Sequence, residues 1–300
     1  MEVRLSKEEN TSLQTIQTKN TSKWIMSYLR KLKRNKMAFI GGIIVLFYIV
    51  IAIFAPLLAP YNPFDIQLVN KFQPPCIEHW LGTDDLGRDI LSRLLHGTRL
   101  SLLVGFSSVF IGALFGIILG IISGYYGGWF DTVIMRIIDI MLAFPGILLA
   151  LAIVGALGPS LVNVIIAIGF FSIPMFARIV RASTLTVKKL EYIDAIRALG
   201  ANDFTIIMKH IFPNILSPII VQATLRLATA ILSAAGLSFL GLGAQPPSPE
   251  WGAMLSNGRD FLFTAPHIAM FPGIAMSTLV IGLNMFGDGL RDALDPRLKK

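Results

Sequence analysis

The chain has 300 residues, of which 54% are hydrophobic and 15% charged, with a mean hydropathy of +0.68. These values indicate a membrane protein, because soluble domains have a smaller apolar share. The net charge of +8 does not indicate a nucleic-acid partner, since no basic stripe is interleaved with exposed aromatic residues. The only cysteine, Cys76, excludes a disulfide within the chain.

The N-terminal segment is polar. Residues 1–22 lack apolar periodicity and are predicted to be a disordered tail. Residues 23–58 contain a basic segment followed by the first span. The basic residues favour contact with an anionic inner leaflet. They are Arg30, Lys31, Lys33, Arg34 and Lys36. Because 37 polar residues precede the first span, we expect it to be a retained anchor and not a cleaved secretory signal.

Six apolar runs are long enough to cross a membrane, since a hydrocarbon core about 30 Å thick needs about 20 helical residues. They are Ala38–Leu58, Leu100–Ile122, Val133–Leu157, Leu161–Val180, Ile215–Leu240 and Ile268–Phe286. A lipid-facing span must satisfy its own backbone hydrogen bonds, so each is predicted to be a helix. The sequence therefore predicts an all-α integral membrane protein with six transmembrane helices.

Lys and Arg predict the orientation. With the N-terminus inside, the cytoplasmic segments hold 19 of them and the outer loops 5, so both termini are expected in the cytoplasm. The predicted parts after the first span are an outer loop at 59–99, a five-helix core at 100–290 and a cytoplasmic tail at 291–300. In the outer loop, Asp84–Leu95 is predicted to form an amphipathic surface helix. A short surface or re-entrant helix is expected at Trp251–Phe263.

Glycines and prolines mark the spans. Four glycines recur every four residues along the second span and predict a close helix contact, with a partner helix in this chain or in another. They are Gly112, Gly116, Gly120 and Gly124. One proline inside each later span predicts a kink, either static or part of a moving bundle. These prolines are Pro145, Pro174, Pro218 and Pro272.

A polar insert lies between the fourth and fifth spans. Glu191–Leu199 is predicted to be a short helix that Gly200 ends. Asn202 is a suitable N-cap for a second short helix, Asp203–Phe212, which Pro213 is expected to stop. Such an insert in a membrane protein favours a docking site for a partner.

These residues resemble a known family. Asp194, Ala195 and Ile196, then Gly200 and Pro213, are similar to the Glu-Ala-Ala loop in permease subunits of bacterial ABC importers. Asp, Ile, His and Phe replace the family's usual residues at 194, 196, 210 and 212. The resemblance implies that the cytoplasmic loop 191–213 is a coupling helix seated in a groove of an ATPase. The implied coupling residues are Glu191, Tyr192, Asp194, Ala195, Ile196, Ala198, Gly200, Ala201, His210 and Pro213.

Two further motifs narrow the resemblance to the C-type permease of dipeptide, oligopeptide and nickel importers. The first is residues 81–89 with the polar and glycine positions that follow, Ser92, Arg93, Gly97, Arg99 and Ser101; the second is residues 287–297. The resemblance implies the type I ABC importer permease fold and a bacterial inner-membrane location. It also implies a homologous second permease, two cytoplasmic ATPases that bind ATP and Mg, and an external substrate-binding protein. Short peptides are the expected cargo, with a nickel chelate or glutathione left open.

Three charges lie inside predicted spans: Arg136, Asp139 and Arg226. Such charges are costly unless they are paired or face water. Two roles are therefore possible: a gate, or an ion pair that only stabilises the structure. We expect Asp139 to approach Arg226 or Arg136. The four histidines lack a second ligand at helical metal spacing, which argues against a metal site.

No enzyme motif occurs in the chain. It has no G-x-x-x-x-G-K-[ST], G-x-S-x-G or H-E-x-x-H pattern, so we expect no catalytic site and no cofactor of its own. An ion-driven secondary transporter would show two similar halves with acidic residues in both, whereas this chain has one such residue, Asp139, and no evident repeat. A channel or scaffold subunit without pumping stays open.

Overall fold

The computed structural model describes residues 35–294. Its helices are α1 (Lys36–Leu58), α2 (Ile90–Tyr126), α3 (Gly128–Ala143), α4 (Gly146–Leu157), α5 (Leu161–Lys188), α6 (Glu191–Ala198), α7 (Asp203–Phe239), α8 (Trp251–Gly258) and α9 (His267–Leu294), with short 3-10 turns at Leu68–Asn70 and Arg259–Phe261. The predicted tail at 1–22, most of the basic cluster and residues 295–300 lie outside the described range.

Five helices are long and apolar enough to cross a membrane: α1, α2, α5, α7 and α9. The pair α3 and α4 makes a sixth span if its two halves count as one. The prediction of an all-α membrane protein is confirmed.

The third span is broken, so the prediction of one helix over Val133–Leu157 is wrong. Helices α3 and α4 meet at 88°. Phe144, between them, has extended dihedrals (φ −94°, ψ 135°), because the ring of the following Pro145 disfavours the helical region. Pro174, Pro218 and Pro272 instead lie within helices that continue through them.

The glycine stripe packs α2 against α5. Each stripe glycine lies opposite the α5 residue sixty positions further on, so the two helices run parallel: Ser172, Phe176, Val180 and Thr184 face the four glycines in order. A Cβ placed on Gly120 would lie 2.7 Å from the Cβ of Val180, and one on Gly124 would lie 2.8 Å from that of Thr184. The partner helix therefore belongs to this chain, and only glycine permits this approach.

Replacing Gly116 by Ala is expected to destabilise this contact. The new methyl group would lie 2.9 Å from the carbonyl oxygen of Ile173 and 3.0 Å from the nitrogen of Ala177, and backbone atoms yield only if the helices separate. We expect a loss of about 1–3 kcal/mol, seen as a lower Tm in detergent. Gly155→Ala is the matched control, because a Cβ there meets nothing within 4 Å. An equal Tm for the two variants would contradict the prediction.

The start of α2 differs from the expectation. Residues 84–89 form a turn and not a surface helix: Gly87 takes φ +74°, and the Asp84 carboxylate accepts the N–H of Leu86 and of Arg88 at 2.9 Å each. Helix α2 begins at Ile90, where Asp89 is the N-cap and accepts the N–H of Ser92 at 2.7 Å. The second helix thus starts ten residues before the predicted span.

A buried ion cluster joins the loop between α1 and α2 to the loop between α7 and α8. Asp84 lies 2.7 Å from the Nε of Arg88 and 3.5 Å from that of Arg93. Arg93 also donates to the carbonyl oxygens of Pro63 and Pro247, at 3.0 and 3.4 Å. Since Arg93 is 2% exposed, these bonds replace its contact with water and fix both loops to the N-terminal end of α2.

The predicted second outer helix is present but shorter. Helix α8 covers Trp251–Gly258 and is followed by a 3-10 turn, so it ends before Phe263. Its N-cap Glu250 accepts the N–H of Gly252 at 2.9 Å. Trp251 is fully buried and lies edge-on to Tyr48 of α1, 5.6 Å between ring centres, so this helix is anchored among the spans.

Candidate functional site

Helix α6 ends as the sequence predicts, at a left-handed glycine. Gly200 takes φ +86°. Its N–H donates to the oxygen of Arg197 at 3.0 Å, and the N–H of Ala201 donates to that of Ile196 at 3.3 Å. This paired arrangement is the Schellman C-cap, which satisfies carbonyls that the helix end would leave free. The chain therefore turns sharply between α6 and α7.

Helix α7 begins at the predicted cap but does not stop where expected. The side-chain oxygen of Asn202 accepts the N–H of Thr205 at 2.8 Å. The expectation that Pro213 ends a short helix is wrong, because the helix continues from Asp203 to Phe239 through a π turn at Ile207–Ile211. The added residue in such a turn shifts the hydrogen-bond ladder, which is one way a helix accommodates a proline.

Apolar contacts anchor this loop to the spans. Ile193 of α6 and Ile206, Ile211 and Ile215 of α7 are 0% exposed, and they pack in one cluster with residues of α2 and α5. Only two residues separate α5 from α6. The loop is therefore attached to α5 both along the chain and through this cluster.

Polar contacts reinforce the anchor. The hydroxyl of Tyr125, at the inner end of α2, donates to Asp203 at 2.6 Å, and Lys188 donates to the Tyr125 carbonyl at 2.5 Å. Sequence reasoning missed Tyr125, because nothing local relates it to a partner 78 positions away.

The coupling residues implied by the resemblance lie on the open side of the loop. Seven are exposed: Glu191, Tyr192, Asp194, Ala195, Ala198, Gly200 and Pro213; Ile196, Ala201 and His210 are half-buried. Asn214 links two of them, donating to the hydroxyl of Tyr192 at 3.2 Å and to the carbonyl of His210 at 2.6 Å.

Two large apolar side chains extend this surface and were absent from the predicted set. Leu199 is 87% exposed and Phe204 is 72% exposed. Exposed apolar groups on an anchored segment indicate a protein contact. Leu199 follows the apolar spacing of Tyr192 and Ile196, whereas Phe204 has no sequence pattern that identifies it.

The intramembrane charges pair differently from the expectation. Asp139 accepts a hydrogen bond from Arg178 of α5 at 2.6 Å, so the prediction that it approaches Arg226 or Arg136 is wrong. The bend after α3 places Asp139 beside α5 and not beside α7. Within residues 35–294, no carboxylate lies within 4.0 Å of Arg136 or Arg226.

A second pair on the same two helices was not predicted. Arg181 donates from Nε and Nη2 to both oxygens of Asp131, at 2.5 and 2.6 Å, in the bidentate geometry that arginine favours with carboxylates. Ser123 of α2 also donates to Asp131. Over the part of the chain that the structure covers, no three His, Cys, Asp or Glu residues form a group able to hold a metal ion.

Two family models match the chain. The model described as "Binding-protein-dependent transport system inner membrane component" matches residues 116–300. The model described as "N-terminal TM domain of oligopeptide transport permease C" matches residues 22–75.

Curated relatives are similar over nearly the whole chain. A dipeptide transport system permease protein of Alkalihalophilus pseudofirmus is 52% identical over 270 residues, which cover 90% of this chain and 89% of the relative. A glutathione transport system permease protein of Escherichia coli is 52% identical over 275 residues, covering 91% and 90%.

Solved structures share the fold. The inward-facing MetNI methionine ABC transporter contains a chain that matches with a TM-score of 0.56 at 21% identity, covering 69% of this chain and 98% of that one. An amino acid ABC transporter matches with a TM-score of 0.53 at 15% identity, covering 67% and 94%. From the family match and the curated relatives together, the chain belongs to the family of binding-protein-dependent transport system inner membrane components, the multi-pass permease subunits of ABC importers.

Proposed function

We propose that this chain forms half of the pathway of an ATP-driven importer of short peptides, and that loop 191–213 docks on the partner ATPases. The observation that best supports docking is that the loop has both buried and exposed apolar side chains. Ile193 and Ile206 are fully buried against the spans, while Leu199 and Phe204 are largely exposed on the turn between them. A surface of this kind fits a protein groove.

The proposed complex contains a homologous second permease, two ATPases and an extracytoplasmic binding protein. The ATPases hold ATP and Mg, and both termini of this chain lie in the cytoplasm of a bacterium. The excess of Lys and Arg on the cytoplasmic segments supports this orientation. Closure of the ATPases would favour one of two states of the pathway, and release of the nucleotide would favour the other.

The loop's anchors support its role in transmitting that movement. Its buried isoleucines contact α2 and α5, and Tyr125 connects α2 to Asp203. A push on α6 therefore displaces two spans together. The exposed pair of Asp194 and Arg197, 3.2 Å apart, is too weak to stabilise the loop by itself and is accessible to a partner.

Short peptides are the proposed cargo because the similar proteins named above transport a dipeptide and glutathione, which is itself a tripeptide. Glutathione is the second candidate on the same observation. A nickel chelate, the third cargo that the sequence leaves open, is distinguished from both by competition for uptake.

Reconstitution tests this function. The chain, co-expressed with its partner subunits, is placed in proteoliposomes with its binding protein, and ATP hydrolysis and uptake of labelled dipeptide, glutathione and nickel are measured. We expect the loaded binding protein to stimulate hydrolysis and ATP to drive uptake of a peptide. Uptake that survives ATP depletion and collapses with an ionophore would show a secondary transporter. ATP hydrolysis that the loaded binding protein does not stimulate would indicate a scaffold subunit without pumping.

A further inference from the structure

The inner half of the broken span has few fully buried side chains. Helix α3 has sixteen residues, and Ile138 is its one buried side chain. Ile138 packs against Ile173 and Ala177 of α5. Four half-buried residues of α3 also pack on this cluster: Ile134, Met135, Met141 and Leu142. Because only one apolar side chain of α3 is fully buried, polar contacts are needed to fix its position as well.

Two ion pairs supply those contacts, and both reach α5. Asp131 near the start of α3 pairs with Arg181, and Asp139 near its end pairs with Arg178. The two aspartates are eight residues apart on α3, while the two arginines are three apart on α5. Attachment at both ends of α3 resists rotation as well as separation.

The arginines lie close to the coupling loop along the chain. Arg178 and Arg181 belong to the last three turns of α5, which leads into α6 after two residues. On the other side, α3 ends at the 88° break before α4. The outer half packs elsewhere on α5: a Cβ placed on Gly146 would lie 3.0 Å from the ring of Phe171. The break thus separates a half attached near the loop from a half attached further out.

We propose that Asp131 and Asp139 are positioning residues that bind α3 to the inner end of α5, so that α3 moves with the coupling loop and the span bends at Phe144–Pro145. This inference rests on the proposed coupling role of loop 191–213. Through these pairs, α3 moves as one rigid unit with α5 and the loop. The span then bends at the break between α3 and α4, while α4 keeps its position. Both ion pairs stay formed because an unpaired charge within a membrane bundle is costly.

Transport by the complete complex tests the pairs. Asp139→Asn and Arg178→Gln are each expected to reduce ATP-driven uptake by about tenfold or more, because each leaves the other charge unpaired within a predicted membrane span. The exchanged variant D139R/R178D, which restores opposite charges, is expected to recover most of that loss. The matched control is the exchange of Arg259 and Asp260, a pair of similar exposure, 3.2 Å apart, that lies outside the predicted spans and should leave uptake unchanged. Wild-type uptake in Asp139→Asn, or an exchanged variant no better than the single variants, would overturn the proposal.

A distance measurement excludes a merely structural role. In a Cys76→Ser background, spin labels at Thr132 of α3 and Thr186 of α5, both exposed, report whether the helices move together, and labels at Thr132 and Leu148 report the bend. Between the nucleotide-free and ATP-trapped states, we expect the first distance to stay constant and the second to change. Asp139→Asn should broaden the first distribution. A first distance that changes as much as the second would overturn the proposal.

Failure of this inference is distinguishable from failure of the proposed function. If the pairs have no positioning role, the ATPases still co-purify with the chain and the loaded binding protein still stimulates hydrolysis. If loop 191–213 is not a docking site, Gly200→Pro retains the ATPases and transports normally.

Discussion

Replacing Gly200 by Pro is expected to abolish peptide uptake and substrate-stimulated ATP hydrolysis, while the protein still inserts into the membrane. Proline requires φ near −65°, whereas Gly200 takes φ +86°. Proline also removes the N–H that donates to Arg197. The Schellman turn cannot form, so the exposed Leu199 and Phe204 lose the relative positions that a rigid partner groove requires. ATPase co-purification and hydrolysis in proteoliposomes measure the effect.

Gly200→Asn is the matched control for that variant. Asn tolerates the left-handed region better than other side chains and keeps the N–H, and no atom lies within 4 Å of a Cβ at this position. We expect it to retain most of the uptake. Normal transport by Gly200→Pro, or equal losses in the Asn and Pro variants, would argue against a docking role that depends on this turn.

Replacing Arg93 by Ala is expected to give the largest loss of stability. The change removes the donor for carbonyl oxygens of Pro63, Pro247 and Ser248, and it takes one cation from the buried Asp84. Removing one partner from a buried ionic cluster costs about 3–5 kcal/mol. Thermal unfolding in detergent should show a fall in Tm of roughly 10 °C.

The control for Arg93 is an arginine whose pair is exposed. Arg259 lies 3.2 Å from Asp260, and both side chains are more than half exposed. Arg259→Ala should therefore lose no more than about 1 kcal/mol. Similar Tm values for the two alanine variants would show that the outer cluster does not hold the loops together.

The helical content and the turn between α6 and α7 were predictable from the sequence because both depend on local chemistry. Five of the six apolar runs lie within continuous helices, since a helix satisfies its own backbone hydrogen bonds. Gly200 ends α6 because its left-handed φ suits glycine, and Asn202 caps α7 through a neighbour three residues away. The glycine stripe likewise predicted a close contact, because a repeat of four residues lies on one helix face.

Errors in the local predictions have local explanations too. Asp84–Leu95 has apolar residues at 86, 90, 91, 94 and 95, the spacing of an amphipathic helix, but Gly87 and the Asp84 carboxylate stabilise a turn in its first half instead. Pro213 normally stops a helix, yet a π turn before it allows α7 to continue. In both cases a specific hydrogen-bond arrangement outweighs the average preference of the residues.

The local sequence was enough to predict which segments are helical, which charges lie among apolar residues and which insert contains a short polar helix. The packing of the bundle was needed to show that α5 contacts the glycine stripe, that Arg178 and Arg181 pair with Asp139 and Asp131, and that Arg93 joins two distant loops. These contacts join residues between 30 and 155 positions apart. Periodicity determines which face of a helix a residue occupies, but the neighbour across that face depends on how the whole bundle packs.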